Sequence, residues 1–226
     1  MTELVRVDRH SPEVAELVLD DPDHRNALSV ALRDRISDHL DELAADPDLK
    51  VLVVSGEGPV FCAGFDLKEF ERAFTDEVFS TQLWASSDRY HRAVVEFPVF
   101  MIAAVAGPAI AGGMDLAVLC DLRVAATTSW FAHPEHAFGE VVYGPLRDLV
   151  GGGFARDLAF TGRRVEADEA LRIGLVTRVV PAENVRTAAL ALAEEIAAPP
   201  REIVVRMKAK GRRFSSPNPD AGTLDL

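Results

Sequence analysis

The sequence predicts an α/β fold, and three observations carry that prediction. Apolar runs, glycine-rich turns and helix-spaced stretches follow one another in a repeated order. Two of the runs, Val51-Leu52-Val53-Val54 and Val99-Phe100-Met101-Ile102-Ala103-Ala104-Val105, are continuously apolar, as expected of strands covered on both faces. A length of 226 residues with 48% apolar and 27% charged side chains suffices for one domain with a sizeable core.

In chain order, Val14-Ala15-Glu16-Leu17-Val18-Leu19 alternates partly and reads as a strand running into a polar turn, residues 20–26. Ser29 is placed to cap a helix reaching about Ala45, with Leu32, Ile36, Leu40 and Leu43 on one face. Asp46-Pro47-Asp48 ends it, and the strand at 51–54 leads into the first glycine-rich turn. Residues from about 67 to 97 read as helical, anchored by Phe70, Phe74, Phe79, Leu83 and Trp84, until Pro98. The strand at 99–105 feeds the second glycine-rich turn, and Leu122-Arg123-Val124-Ala125-Ala126 is a third short strand. Gly151-Gly152-Gly153 has neither a preceding strand nor a Walker lysine, so a phosphate loop is not expected there. Helical patterns return at about 166–173 and 182–198; Pro199-Pro200 marks a break, and a basic helix follows to about Arg213. The tail from Ser215 to Asp220 reads as irregular.

Composition excludes several classes. The net charge of -12 comes without a basic stripe, which argues against nucleic-acid binding; the acidity reads as solubility. No apolar run is long enough for a bilayer, and Met1-Thr2-Glu3-Leu4 shows no signal-peptide pattern, so a cytoplasmic protein that engages no membrane is expected. Cys62 and Cys120 have neither metal-ligand spacing nor the number for a disulfide framework, and both are expected reduced. A catalytic Cys62 is not expected, because no histidine lies near it in sequence. The absence of G-x-G-x-x-G at a helix start argues against a dinucleotide fold. His133 and His136 lack the rest of a ligand set, so no metal is expected and local packing or hydrogen bonding is the role assigned to them.

The chemistry concentrates at the two turns. Phe61-Cys62-Ala63-Gly64-Phe65-Asp66-Leu67-Lys68-Glu69 and Gly107-Pro108-Ala109-Ile110-Ala111-Gly112-Gly113-Met114-Asp115-Leu116 each follow an apolar run and open a helix. Such turns leave backbone N–H groups free at a helix start, and two of them converging on one oxygen would make an oxyanion hole. Asp115 falls in the first turn of the second helix, and Glu135 follows in Phe131-Ala132-His133-Pro134-Glu135-His136. Apolar surroundings would raise the pKa of such acids and suit one of them to proton transfer near neutrality. Asp115 also fits a plain helix-dipole role, and Glu135 that of a surface residue after a proline.

These elements together resemble the crotonase superfamily, the enoyl-CoA hydratase/isomerase family. Arg25-Asn26-Ala27-Leu28 is similar to its first signature, the segment from Phe61 to Leu67 to its first oxyanion turn, and Gly107 through Cys120-Asp121 to its second. The Pro134-Glu135 element follows, then Thr161-Gly162-Arg163-Arg164, Ala170 through Gly174-Leu175-Val176, and Val179-Val180-Pro181. The resemblance implies a spiral of ββα units over residues 1–181, an abbreviated helical C-terminal segment over 182–226, and assembly as a homotrimer or hexamer. It implies an acyl-CoA thioester as substrate and no separate cofactor. The Phe65 and Gly112 amides would hold the thioester oxygen. Arg25, Ala27, Leu28, Ala63, Asp66, Leu67 and Lys68 would line the coenzyme A path. Glu135 would serve as catalytic acid, with Asp115 one methylene short of the glutamate hydratases of the family use. Tyr143 is a candidate hydrogen-bonder in the acyl pocket. Hydration of an enoyl-CoA is the reaction expected. Double-bond isomerisation by Glu135 alone, or acyl-CoA binding without catalysis, are the alternatives. The stretch from Gly139 to Arg147 departs from the family pattern and implies a remodelled acyl pocket.

Overall fold

A computed structural model describes residues 3–137, 139–217, 222 and 223. A large sheet is built from β1 (Val5–Arg9), β2 (Val14–Leu19), β3 (Val51–Gly56), β4 (Phe100–Val105), β6 (Leu122–Ala126) and β9 (Arg178–Val180), in that spatial order. Only the β1–β2 pair is antiparallel; every other neighbour is parallel. A small sheet holds β5 (Ala109–Ile110), β7 (Trp130–Ala132) and β8 (Val165–Glu166). The helices are α1 (Val30–Ala44), α2 (Leu67–Ala73), α3 (Glu77–Glu96), α4 (Gly112–Leu119), α5 (Gly144–Thr161), α6 (Ala167–Arg172), α7 (Val185–Ala197) and α8 (Arg201–Arg212).

The repeat behind this layout is a long strand, a short strand and a helix. β4, β5 and α4 form one such unit, and β6, β7 and α5 the next. β3 and α2 begin the series, with Cys62 bridged to Ala109 in place of a full short strand. Side chains alternate across the large sheet. Leu17, Leu52, Val54, Met101 and Ala103 enter the main core with α1 and α3, while Val51, Val53, Ile102, Ala104 and Val124 face Val185, Ala189 and Leu192 of α7. Covering both faces is what makes those runs continuously apolar. Glu16, fully buried on β2, is satisfied by Ser55 Oγ at 2.6 Å, His10 Nε2 at 2.9 Å and Arg186 Nε at 2.8 Å.

Most elements lie where the pattern places them. Ser29 Oγ accepts from Leu32 N at 3.2 Å, and Leu32, Ile36, Leu40 and Leu43 are buried. Two expectations are corrected. The helix read over residues 67–97 is two helices: Phe74 is no anchor but 86% exposed, and Asp76 starts α3 by accepting from Phe79 N at 3.0 Å. The 144–161 segment, assigned no helix from sequence, is α5. Its run of three glycines, Gly151 to Gly153, weakens helix propensity, but burial of Leu146, Val150, Ala155 and Leu158 prevails, with a kink at Gly151 (φ 75°). In the tail expected to be irregular, residues 218–220 lie outside the described residues. Among the described residues no helix is long and apolar enough to cross a membrane.

Candidate active site

Every functional group singled out from sequence at the two turns sits beyond the carboxyl ends of the parallel strands, where open α/β sheets place their ligands. The first turn leaves the end of β3. Asn26, fully buried, anchors it: Nδ2 donates to the carbonyls of Glu57, Val60 and Phe61 at 2.9, 3.0 and 3.1 Å, and Oδ1 accepts from Asp21 N. Leu28 N donates to Gly64 O at 2.8 Å, and Ala63 N to Arg25 O at 3.1 Å. Arg33, also fully buried, donates to the carbonyls of Leu28 and Leu83 and sets its guanidinium 4.6 Å from the Phe65 ring centroid. Asp66 closes the turn by capping α2, accepting from Lys68 N and Glu69 N.

The second turn leaves β4 and is pressed against the first. Phe61 N donates to Pro108 O and Ile110 N to Cys62 O, both at 3.0 Å. A Cβ on Gly113 would lie 2.2 Å from Cys62 O, one on Gly112 2.7 Å from Phe65 Cδ2, and one on Gly64 3.0 Å from Gly112 N. The glycines are there because the two backbones touch. Ala111 takes φ 52° to enter α4, and its N–H donates to Ala132 O. Among the described residues neither the Phe65 amide nor the Gly112 amide has a backbone acceptor.

Asp115, one turn into α4, is 6% exposed, and its Oδ1 accepts from His133 Nε2 at 2.8 Å. His133 follows β7 and is 1% exposed. Glu135 stands two residues on, in a short 3-10 turn, with Oε2 buried and unpartnered among the described residues. Burial pushes its carboxyl up to about 7; His133 draws it down, and Asp115 pushes it further up. One ligand-type atom from each of Asp115, His133 and Glu135 lies within 4.8 Å of the other two. These are groups of a kind that can take a cation; here Asp115 Oδ1 and His133 Nε2 are hydrogen-bonded to each other. His136, the other half of the spacing noted in sequence, donates locally from Nδ1 to His133 O, 3.0 Å away.

The remaining predicted residues fall differently. Ala27 and Ala63 are half-buried beside the first turn, whereas Arg25, Leu67 (65% exposed) and Lys68 face outward. Tyr143 is half-buried at the start of α5 and packs against the main core. Cys62 is fully buried and its thiol pushed up to about 12 by that burial, which removes the thiolate a nucleophile needs. Sequence reasoning missed the work of Asn26 and Arg33, and it missed His91. That histidine is 2% exposed, stacked on Phe65 at 6.3 Å, with Nε2 unpartnered among the described residues. A polar cleft of about 290 Å³ lined by Arg9, His10, Asp46 and Asp48 lies at the opposite, amino-terminal edge of the parallel strands.

The arrangement agrees with what the chain resembles. The sequence model of the enoyl-CoA hydratase/isomerase family matches residues 9–225. The chain belongs to this family. It is 38% identical over 204 residues to a probable enoyl-CoA hydratase of Mycobacterium tuberculosis, covering 86% of this chain and 75% of that one. It is 35% identical over 204 residues to the mitochondrial enoyl-CoA hydratase domain-containing protein 3 of Rattus norvegicus, covering 89% and 68%. Its fold superposes on the enoyl-CoA hydratase of Bacillus anthracis with TM-score 0.85 at 32% identity, over 92% of this chain and 81% of that one. The corresponding Mycobacterium smegmatis enzyme gives 0.86 at 33% identity, over 94% and 83%. The spiral of strand, strand and helix is therefore the crotonase fold, and the chain is a member of an enzyme family.

Proposed function

We propose that the chain is an enoyl-CoA hydratase whose Phe65 and Gly112 amides hold the thioester oxygen as it gains charge. The water oxygen bonds the acyl β-carbon while Asp115 orients the water and takes its proton. Glu135 delivers a proton to the α-carbon, and exchange with solvent resets both acids. The observation that carries this reading is the spacing of the carboxylates, whose nearest ligand atoms lie within 4.8 Å. Two acceptors that share one water at ordinary O–H···O distances sit roughly 4.5 Å apart, so the shorter Asp115 still suits a bridging water. The Asp115–His133 bond engages Oδ1 and leaves Oδ2 for that water. Coenzyme A would run past Arg25, Ala27, Leu28, Ala63, Asp66 and Leu67, with Arg25 and Lys68 offering positive charge to its phosphates. No cofactor beyond the substrate's own coenzyme A enters the reaction.

A second reading, isomerisation by Glu135 alone, draws on the same bond, because an Asp115 carboxylate occupied by His133 is partly withdrawn from water. Hydration of crotonyl-CoA, followed as loss of the enoyl-thioester absorbance, tests both. Glu135→Gln is expected to lower kcat at least about 100-fold, the usual scale of a lost general acid. Equal rates in the two proteins remove Glu135 from the mechanism. Asp115→Asn is expected to abolish hydration; retained double-bond isomerisation at the original rate favours the second reading.

A further inference from the structure

We propose that His133 is the positioning residue of this site: its Nε2–H pins the short Asp115 side chain where a water-activating carboxylate must stand. The inference rests on the hydratase reading only through the part Asp115 plays in turnover. The geometry is independent of that reading. Asp115 leaves α4 on a side chain one methylene shorter than glutamate, so its position depends on what holds its carboxylate. The hold is the 2.8 Å contact to His133 Nε2, made between side chains that are 1% and 8% exposed. His133 is itself fixed from behind, since His133 O receives His136 N at 3.3 Å and lies 3.0 Å from His136 Nδ1. His136 in turn is backed by Gly162, where a Cβ would fall 2.1 Å from His136 Nδ1. The line from Gly162 through His136 and His133 to Asp115 ties the end of α5 to the first turn of α4.

The ring's tautomer follows. His133 Nδ1 is buried and unpartnered among the described residues, so the proton of the neutral ring is assigned to Nε2, facing the carboxylate. Burial pulls the imidazole down, but the charge of Asp115 and its hydrogen bond prevail and raise it above its ordinary value. The other titratable groups around this pair are Glu135 and His136 on the same loop, Cys62 on the first turn, and Tyr90 and His91 on α3, all but His136 interacting electrostatically with Asp115. His133 in turn draws Glu135 downward. The protonated form of the ring, favoured by that raised pKa, opposes the rise of Glu135, so replacing it moves Glu135 up.

The experiment compares His133→Ala and His133→Gln, the second keeping an amide donor toward Asp115. His133→Ala is expected to lower kcat for crotonyl-CoA about 10- to 100-fold with KM changed less than about threefold, the scale of a misplaced reacting group. His133→Gln is expected to recover most of that loss. In both, the pH inflection assigned to Glu135 shifts upward. A kcat in His133→Ala equal to wild type, a glutamine variant no better than alanine, or an unmoved inflection overturns the proposal. Nitrogen-15 NMR titration of the histidine rings in the substrate-free protein gives a readout that survives failure of the hydratase reading or misfolding of the His133 variants. A His133 ring carrying its proton on Nε2, and titrating lower in Asp115→Asn, supports the pairing. A titration identical in wild type and Asp115→Asn overturns it.

Discussion

Glu135 shows how one residue's surroundings set both chemistry and cost. Burial, more than any neighbour, pushes its carboxyl up to about 7, so near neutrality it is poised for proton transfer. The direction of its pH dependence separates the two readings. As the acid of a hydratase it gives a kcat/KM for crotonyl-CoA that falls as pH rises through about 7, measured with constant ionic strength. As the base of an isomerase it gives a rate for a β,γ-enoyl thioester that rises through the same point. The same shift acts on stability. The folded group titrates above the ordinary 4.5 of the unfolded chain, so between these values the native state binds more protons and stability declines as pH rises. Glu135→Gln removes that decline. Urea unfolding is expected to show the variant about 2 kcal/mol more stable than wild type near pH 8 and no more stable near pH 4.5. A loss of turnover together with a gain of stability is the signature of a strained functional group.

At the scale of elements, the candidate site is the contact between two turns, and Gly113 is a tight point of that contact. Cys62 O, 2.2 Å from where a Gly113 Cβ would stand, is held by Ile110 N and cannot retreat without breaking the bond that joins the turns. Gly113→Ala is therefore expected to destabilise by about 3 kcal/mol, the range of an overpacked core position. It should also depress kcat in the protein that still folds, read by thermal unfolding and crotonyl-CoA hydration together. Much of this level was legible in the sequence. The apolar runs of β2, β3, β4 and β6, the Ser29 cap and the two glycine turns are local patterns, and local patterns survive in a string of letters. Asp115 and Glu135 were singled out as well, from the turn and the proline beside them, and the structure brings their carboxylates within 4.8 Å. What escaped is long-range. Arg33 carries no local signal, its burial resting on carbonyl partners of Leu28 and Leu83, and Asn26 gains its role from three carbonyls more than thirty residues away. α5 was hidden by its own glycines, and Phe74 looked like an anchor because its helix was read as continuous.

At the scale of the whole molecule, chemistry and anchorage occupy opposite edges of the large sheet. The turns, Asp115 and Glu135 stand beyond the carboxyl ends of the strands. The last helix, α8, is fastened at the amino ends, where Lys208 Nζ donates to Asp121 Oδ2 at 2.6 Å. That carboxylate also accepts from Met101 N at the start of β4, while Asp121 N donates to Met101 O, so one aspartate ties β4, β6 and α8 together. Lys208 is 5% exposed, and its ammonium is tolerated there because it is paired. Lys208→Met keeps the aliphatic stem and removes the charge, leaving Asp121 with its backbone partner and, at 23% side-chain exposure, some water. The expected cost is about 2 kcal/mol, below the full penalty of an orphaned buried charge. For a chain of this length that corresponds to a fall in Tm of roughly 4–8 °C. Turnover measured well below that temperature should match wild type, because nothing in the Lys208–Asp121 clamp touches the turns at the other edge. A Lys208→Met protein that keeps its Tm would show the clamp to be idle. One that loses kcat in proportion to its stability would show that the two edges of the sheet are coupled through β4.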